Sequence, residues 1–168
     1  YKRQLINNAA ATYRASGLEV PLKRWDLVMD VNVRGTFLCT RAFIEPMIER
    51  GSGSILNISS GAGDMDAQKM DGRLRSLAYG VSKAAVNRMT VGFAKEVEAH
   101  GITVNALMPA SAVATEGTRA FFGGDISQDF VGPEGMVEAA LRLVTQPPGG
   151  VTAWVGTDLE LKKSLQEA

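Results

Sequence analysis

The fold is decided by the stretch Ser54-Ile55-Leu56-Asn57-Ile58-Ser59, a short apolar run in which polar and apolar residues hardly alternate. Runs of this kind are typical of a strand that is covered on both faces of a parallel sheet. A second such run occupies residues 102–108 and stops at Pro109. The end of a strand at Leu5-Ile6 and a last short strand over residues 151–155 complete the predicted sheet.

Helical patterns separate these runs along the chain. Residues 21–50 carry apolar side chains at helical spacing, but Gly35 and Pro46 interrupt them, which allows either two helices or one kinked helix. The clearest helix is predicted over residues 79–99, and another over residues 133–145. Strands that alternate with helices predict an α/β domain with a parallel sheet, and such sheets bind ligands at the carboxyl ends of their strands.

Composition excludes several classes of protein. The chain has 168 residues, which suit a single domain, and 45% of them are hydrophobic. Basic and acidic residues number 18 each, so the net charge is zero and neither nucleic acid nor a membrane surface is expected as a partner. One cysteine and one histidine cannot build a zinc site, so no metal is expected, and the reducing cytoplasm is the expected compartment.

Tyr79 and Lys83 are the first candidates for chemistry. They are four residues apart on a predicted helix, so their side chains lie on one face with about 5 to 6 Å between the Cβ atoms. A nearby ammonium favours the phenolate, so we expect Lys83 to lower the pKa of Tyr79 towards neutrality and make it a general acid/base. The alternative is an ordinary exposed helical pair, which is common.

Ser60 and Asn32 are candidates with strong structural alternatives. Ser60 follows a buried strand, where its hydroxyl can donate to a substrate carbonyl, although for this serine alone a bond to strand-end backbone is the stronger interpretation. Asn32 stands in an apolar helical setting just before Gly35. It is predicted either to hold a water or to cap a break in the helix.

Five short motifs occur along the chain in a fixed order: Asn7-Asn8-Ala9, Val31-Asn32-Val33-Arg34-Gly35-Thr36-Phe37, Asn57-Ile58-Ser59-Ser60, Tyr79-Gly80-Val81-Ser82-Lys83 and Val104-Asn105-Ala106-Leu107-Met108-Pro109. Each motif is weak alone, but together the order resembles the short-chain dehydrogenase/reductase family, closely over about residues 1–115. The resemblance implies a partial Rossmann-type, doubly wound parallel sheet with flanking helices.

The resemblance also implies hydride transfer between NAD or NADP and an alcohol or carbonyl substrate. Tyr79 would be the general acid/base, and Lys83 would bind the nicotinamide ribose and lower the pKa of that tyrosine. Ser60 would position the carbonyl, and Asn32 would hold the water of a proton relay. The implied cofactor contacts, besides Tyr79 and Lys83, are Asn8, Ala9, Pro109, Val113 and Thr115.

One family feature is absent from the sequence. Family members begin with a strand and a glycine-rich turn that presents backbone N–H groups to the cofactor pyrophosphate, and no such turn occurs here. We therefore expect residues 1–168 to be a single truncated domain that starts at the family's fourth strand. The isolated chain is expected to bind cofactor weakly or not at all, and the choice between NAD and NADP is not encoded in it.

Two functions compete at this point. The first is the catalytic part of an oxidoreductase, whose substrate pocket would be covered by residues 116–131 and lined by Phe121, Phe122 and Phe130. The second is a non-catalytic remnant that acts as an oligomerisation or interaction module. In either case the resemblance implies a homodimer or homotetramer through the helices of residues 26–50 and 79–99.

Overall fold

The computed structural model describes residues 4–66, 76–121 and 130–164. Within them, four parallel strands form one sheet in the order β1-β2-β3-β4. The strands are β1 (Gln4–Asn7), β2 (Gly53–Ile58), β3 (Ile102–Met108) and β4 (Val155–Thr157). The register pairs Asn7 with Asn57 and Asn57 with Ala106. The predicted α/β class with a parallel sheet is therefore confirmed.

Helices connect the strands and cover both faces of the sheet. They are α1 (Leu22–Met29), α2 (Thr36–Arg50), α3 (Leu77–Glu96), α4 (Glu116–Phe121), α5 (Glu134–Thr145) and α6 (Asp158–Ser164). A π-helical segment, Asp30–Gly35, joins α1 to α2, and short 3-10 turns occupy Gly61–Gly63 and Glu98–His100.

The hydrophobic core lies in two layers, one on each side of the sheet. Ile55 of β2 packs with residues of α2 and α3, such as Met47 and Ala94. The next residue, Leu56, packs with residues of α5 and α6, such as Leu143 and Leu161. Successive residues of a strand point to opposite faces, so the unbroken apolar run in β2 supplies both layers at once.

The helical pattern over residues 21–50 corresponds to the two α-helices α1 and α2, which the π-helical segment joins without a break in helical structure. Gly35 is the last residue of the π-helical segment, and Pro46 lies inside α2. The helix ends at Gly51, whose φ of 69° is left-handed and whose N–H donates to the carbonyl of Ile48 at 3.0 Å. Glycine adopts this conformation without the steric penalty that a Cβ would add, which explains the stop.

The prediction of a last strand over residues 151–155 is wrong by several residues, because β4 is Val155–Thr157. Ala153 has a left-handed φ of 59°, which no extended strand allows. The side chain of Asn105 forms hydrogen bonds with the backbone of this bent segment. Its Nδ2 donates to the carbonyl of Val151 at 2.8 Å, and its Oδ1 accepts from the N–H of Trp154 at 3.1 Å.

Some predictions fall outside the described residues. Residues 67–75, in the long loop after Ser60, lie outside them, as do residues 122–129 of the predicted pocket cover with Phe122. Over the ranges that are described, no helix combines the length and apolar character that crossing a membrane requires.

Candidate active site

A cleft of about 710 Å³ opens at the carboxyl ends of β1, β2 and β3. The loops that follow these three strands form its walls, together with the start of α3 and part of α4. Of the residues singled out from the sequence, those that line this cleft are Asn8, Ser60, Tyr79, Lys83, Pro109, Val113 and Thr115. The topology thus gathers residues from four distant parts of the chain at one edge of the sheet.

Ser60 and Tyr79 meet across this cleft. Ser60 is a hydrogen-bonding neighbour of the Tyr79 side chain, and this neighbour lowers the pKa of the phenol. Such an effect requires that the serine hydroxyl donate, because donation favours the phenolate. Burial has the larger influence and raises the pKa of Tyr79 above its usual 10.0.

This finding corrects the expectation that Lys83 lowers the pKa of Tyr79. The Lys83 ammonium lies 5.5 Å from the centre of the Tyr79 ring, and it donates to the backbone carbonyl of Ile58 at 2.7 Å. Burial is the largest influence on the phenol, and the pKa of Tyr79 is raised overall.

Lys83 is itself strongly desolvated. Its side chain is only 4% exposed, and burial lowers its pKa from 10.5 to about 8. An ammonium has three N–H donors, and the carbonyl of Ile58 takes one of them. No further hydrogen bond of this ammonium is found among the described residues. The lysine therefore brings donors to the cleft that remain available to a ligand.

Asn32 lies behind the cleft and does not line it. Its amide Nδ2 donates to the carbonyl of Ala11 at 2.9 Å and to the Ser82 hydroxyl at 2.9 Å, and its Oδ1 accepts from the N–H of Ala11 at 2.7 Å. Both N–H groups of the amide are therefore used by the protein. The side chain fixes the loop after β1 to α3, and the predicted role in holding a water stays a prediction.

Two side-chain contacts near the cleft were not predicted from the sequence. The hydroxyl of Ser82 donates to the carbonyl of Tyr79 at 2.7 Å, which links the Asn32 amide to the start of α3. The hydroxyl of Ser59 donates to Oδ1 of Asn87 at 2.5 Å. Helical spacing was a usable signal for Ser82, since residues three apart share a face. Ala9 is exposed and is not among the residues that line the cleft.

The fold and the cleft define an α/β protein that carries a serine, a tyrosine and a buried lysine at the carboxyl edge of a parallel sheet. The model of a known family, short chain dehydrogenase, matches residues 3–123. This match covers most of the chain, and it includes the whole of β1, β2, β3 and α3. The chain belongs to the short-chain dehydrogenase/reductase family of oxidoreductases.

Curated relatives agree with this assignment. The chain is 40% identical over 114 residues to a 3-oxoacyl-[acyl-carrier-protein] reductase of Synechocystis, a match that covers 68% of this chain and 43% of that protein. It is 32% identical over 164 residues to a protein named inactive 2-(S)-hydroxypropyl-CoM dehydrogenase 2 of Xanthobacter autotrophicus, with 90% of this chain and 69% of that protein covered. The chain thus spans between about two fifths and two thirds of these relatives.

Solved structures give the same fold. A protein from Beutenbergia cavernae, provisionally assigned as an NAD(P)-dependent gluconate 5-dehydrogenase and solved with bound NADP, superimposes with a TM-score of 0.79 at 31% identity. That match covers 92% of this chain and 64% of the other. A 4-hydroxyisoleucine dehydrogenase in complex with NADH superimposes with a TM-score of 0.75 at 25% identity, covering 92% of this chain and 66% of the other. These neighbours bind either form of the nicotinamide cofactor.

Proposed function

We propose that this chain supplies the catalytic part of an NAD(P)-dependent oxidoreductase that interconverts an alcohol and a carbonyl compound. The observation that carries the proposal is that Ser60, Tyr79 and the buried Lys83 line one cleft, with the Lys83 ammonium 5.5 Å from the centre of the Tyr79 ring. A phenol, a hydroxyl donor and a cation in one partly desolvated cleft are suited to moving a proton at a substrate oxygen.

The described residues fit a nicotinamide cofactor. Lys83 offers N–H donors beyond the one that the carbonyl of Ile58 accepts, and ribose hydroxyls are suitable acceptors for them. Asn8, Pro109, Val113 and Thr115 line the same cleft and would contact the cofactor, with Ala9 next to them in the loop after β1. When bound, the cofactor would supply or accept the hydride. Nothing in the described residues favours NADPH over NADH.

The chain's own residues then perform the proton chemistry. Tyr79 gives its phenolic proton to the carbonyl oxygen during reduction and takes it back during oxidation. The Ser60 hydroxyl holds the same oxygen and stabilises the negative charge that develops on it. Lys83, as an ammonium, holds the cofactor ribose through the N–H donors that the carbonyl of Ile58 does not take. Asn32 keeps the loop after β1 fixed to α3, and we infer that a relay water reaches Lys83 near this position.

The experiment is a nicotinamide absorbance assay on the intact protein, meaning the complete oxidoreductase to which we propose that this chain supplies the catalytic part. NADH and NADPH are each tested with a panel of carbonyl compounds that includes 3-oxoacyl thioesters and keto-gluconates. We expect turnover with at least one of them, and we expect Tyr79→Phe to decrease kcat by roughly 10²- to 10⁴-fold without unfolding the protein. Parental activity in Tyr79→Phe would reject the role assigned to the phenol.

A second candidate function is an oligomerisation module without catalysis. Five large apolar side chains on α2 and α3 stay partly exposed: Phe37 (38%), Leu38 (51%), Phe43 (37%), Leu77 (48%) and Val81 (38%). Exposed apolar residues on neighbouring helices favour association with a second copy, as a homodimer or homotetramer. Light scattering on the parent and on Leu38→Glu tests the association. Association without turnover on any substrate would favour this second function.

We also propose that the reaction takes place in the cytoplasm. Cys39 is the only cysteine, so the chain contains no internal disulfide, and a nicotinamide-dependent reaction suits the reducing cytoplasm. Fluorescence microscopy of a tagged intact protein tests this location.

A further inference from the structure

The 3-10 turn Gly61–Gly63 packs directly on α3, next to the residues proposed for catalysis. Gly63 is buried, and a Cβ at this position would lie 2.7 Å from the backbone N of Ala84 and 2.7 Å from the backbone C of Lys83. Real Cβ atoms do not approach backbone atoms so closely. The backbone of the turn therefore touches the backbone of α3 at a point that only glycine allows.

The same contact excludes a side chain from the other partner. A Cβ at Gly80 of α3 would lie 2.8 Å from the backbone carbonyl oxygen of Ala62. In contrast, a Cβ at Gly61, in the same turn, would meet nothing within 4 Å. Gly63 and Gly80 thus set the distance between the turn and the helix, while Gly61 takes no part in it.

The turn holds Ser60 by two hydrogen bonds. The N–H of Ala62 donates to the Ser60 Oγ at 3.2 Å, and the N–H of Gly63 donates to the Ser60 carbonyl at 2.9 Å. A serine hydroxyl has one proton, and its oxygen can accept as well as donate. With the oxygen accepting from the turn, the O–H proton is left to point at Tyr79.

We propose that Gly63 is a positioning residue, which acts through Ser60 by seating the turn on α3 so that the Ser60 hydroxyl faces the Tyr79 phenol. Gly80 forms the other side of this close contact, which we call the seat, between the turn and α3. The inference rests on the proposed function for its importance in catalysis, but its geometric content does not depend on a substrate. An alanine at either glycine of the seat pushes the turn away from α3 and takes the Ser60 hydroxyl with it.

The test follows the phenol itself, in the intact protein without cofactor. NMR of tyrosines that carry an isotope at the hydroxyl-bearing ring carbon reports the pKa of Tyr79, and Tyr79→Phe assigns its signal. The hydrogen bond from Ser60 lowers the pKa of Tyr79, so Ser60→Ala, which removes it, serves as the reference. We expect Gly63→Ala and Gly80→Ala to raise the pKa of Tyr79 as Ser60→Ala does.

Gly61→Ala is the matched control, because it adds the same methyl group to the same turn in open space. It should leave the pKa of Tyr79 at the parental value. A folded Gly63→Ala variant with the parental pKa of Tyr79 would overturn the inference, as would an equal rise in Gly61→Ala. If Gly63→Ala does not fold, Gly80→Ala decides by the same criterion.

Activity provides the second readout and separates the two proposals. If the proposed function is correct, Gly63→Ala should decrease kcat by roughly 10- to 100-fold while KM changes little. If the protein has no oxidoreductase activity, the proposed function fails, and the order of pKa values among the glycine variants still supports or overturns the inference about Gly63.

Discussion

Two groups of buried and half-buried polar residues lie close together in this molecule and differ in how they use their hydrogen-bonding groups. The inner network consists of Asn7, Thr40, Asn57 and Thr90, within the sheet and under α2 and α3. The cleft group consists of Ser60, Tyr79 and Lys83, at the carboxyl edge of the sheet. Both groups contain hydroxyl or amine donors, and both are shielded from water to a large degree.

The inner network uses its hydrogen-bonding capacity within the protein. The Asn57 Oδ1 accepts from the Nδ2 of Asn7 at 2.8 Å, and the Asn57 Nδ2 donates to the Thr90 Oγ1 at 2.9 Å. The Thr90 hydroxyl in turn donates to the carbonyl of Val86 at 2.9 Å. A network satisfied in this way contributes to stability and specifies how the strands and helices fit together.

The cleft group leaves hydrogen-bond donors unused, and burial disfavours the charged forms of its ionisable side chains. Burial raises the pKa of Tyr79 and lowers the pKa of Lys83 to about 8, and both changes mean that the charged forms are disfavoured. Perturbed groups of this kind, gathered in a cleft, are typical of functional sites. The comparison teaches that unused donors beside a cavity, rather than polar residue types, separate a reactive site from a structural network.

The largest expected effect is on activity, from Lys83→Met. Removal of the ammonium from the cleft should decrease kcat/KM by about 10³-fold, which is about 4 kcal/mol of transition-state stabilisation. At pH 7 the free energy of unfolding should increase, because a desolvated charge is replaced by an apolar side chain of similar length. Steady-state kinetics and urea unfolding measure the two quantities. A less stable variant with parental activity would place Lys83 with the inner network.

Asn57→Ala should have the opposite effect, a loss of stability with little loss of activity. It removes one buried and one partly buried hydrogen bond and takes a partner from the Asn7 amide donor and from the Thr90 hydroxyl acceptor, so the free energy of unfolding should decrease by about 3 kcal/mol. Any variant molecules that remain folded should keep kcat within about twofold to threefold of the parent, by the definition of a purely structural role. Urea unfolding and kinetics at a low temperature check both numbers. A strong loss of kcat in well-folded protein would contradict the separation of the two groups.

The pH dependence of stability should sharpen the comparison further. The folded pKa of Lys83 lies near 8 and the unfolded value near 10.5, so between these pH values the unfolded chain binds more protons. Stability therefore rises with pH in this window, by about 2 kcal/mol at pH 10. Above pH 10 the raised pKa of Tyr79 acts in the other direction, because the unfolded chain then loses its phenolic proton first.

The measurement for this prediction is the difference between the parent and Lys83→Met in urea unfolding from pH 7 to pH 10. Other groups titrate in both proteins and cancel in the difference. The gap in stability between the two proteins should narrow as the pH rises. A gap that is constant over this range would mean that Lys83 is not desolvated in the folded protein.

The smallest effect is expected at the surface, where neither kind of group exists. The Arg142–Glu138 ion pair of α5 has a separation of 2.8 Å, but its side chains are 52% and 59% exposed. Exposed pairs contribute little, so Glu138→Gln should change the free energy of unfolding by less than about 0.5 kcal/mol and leave kcat unchanged. Thermal unfolding checks the first value. A change above about 1 kcal/mol would show that polar contacts far from the sheet contribute as much as the buried ones.

Sequence patterns determined much of this protein without the structure. The apolar runs in β2 and β3, with helical segments between them, predicted a parallel α/β sheet, because only strands covered on both faces lack alternation. Parallel connectivity then predicted that Asn8, Ser60 and Pro109 would gather at one edge, and all three line the cleft. These predictions rest on local periodicity and on chain order, which a sequence carries completely.

Tertiary structure alone decided how the gathered residues act. The direction of the Tyr79 pKa, the partners of the Asn32 amide, the start of β4 and the seat at Gly63 each depend on atoms from segments that are distant in sequence. Burial and hydrogen bonding change when atoms move by a few tenths of an ångström to a few ångströms. Residue spacing along a helix or strand fixes which side chains share a face, but it does not fix how closely another segment approaches that face.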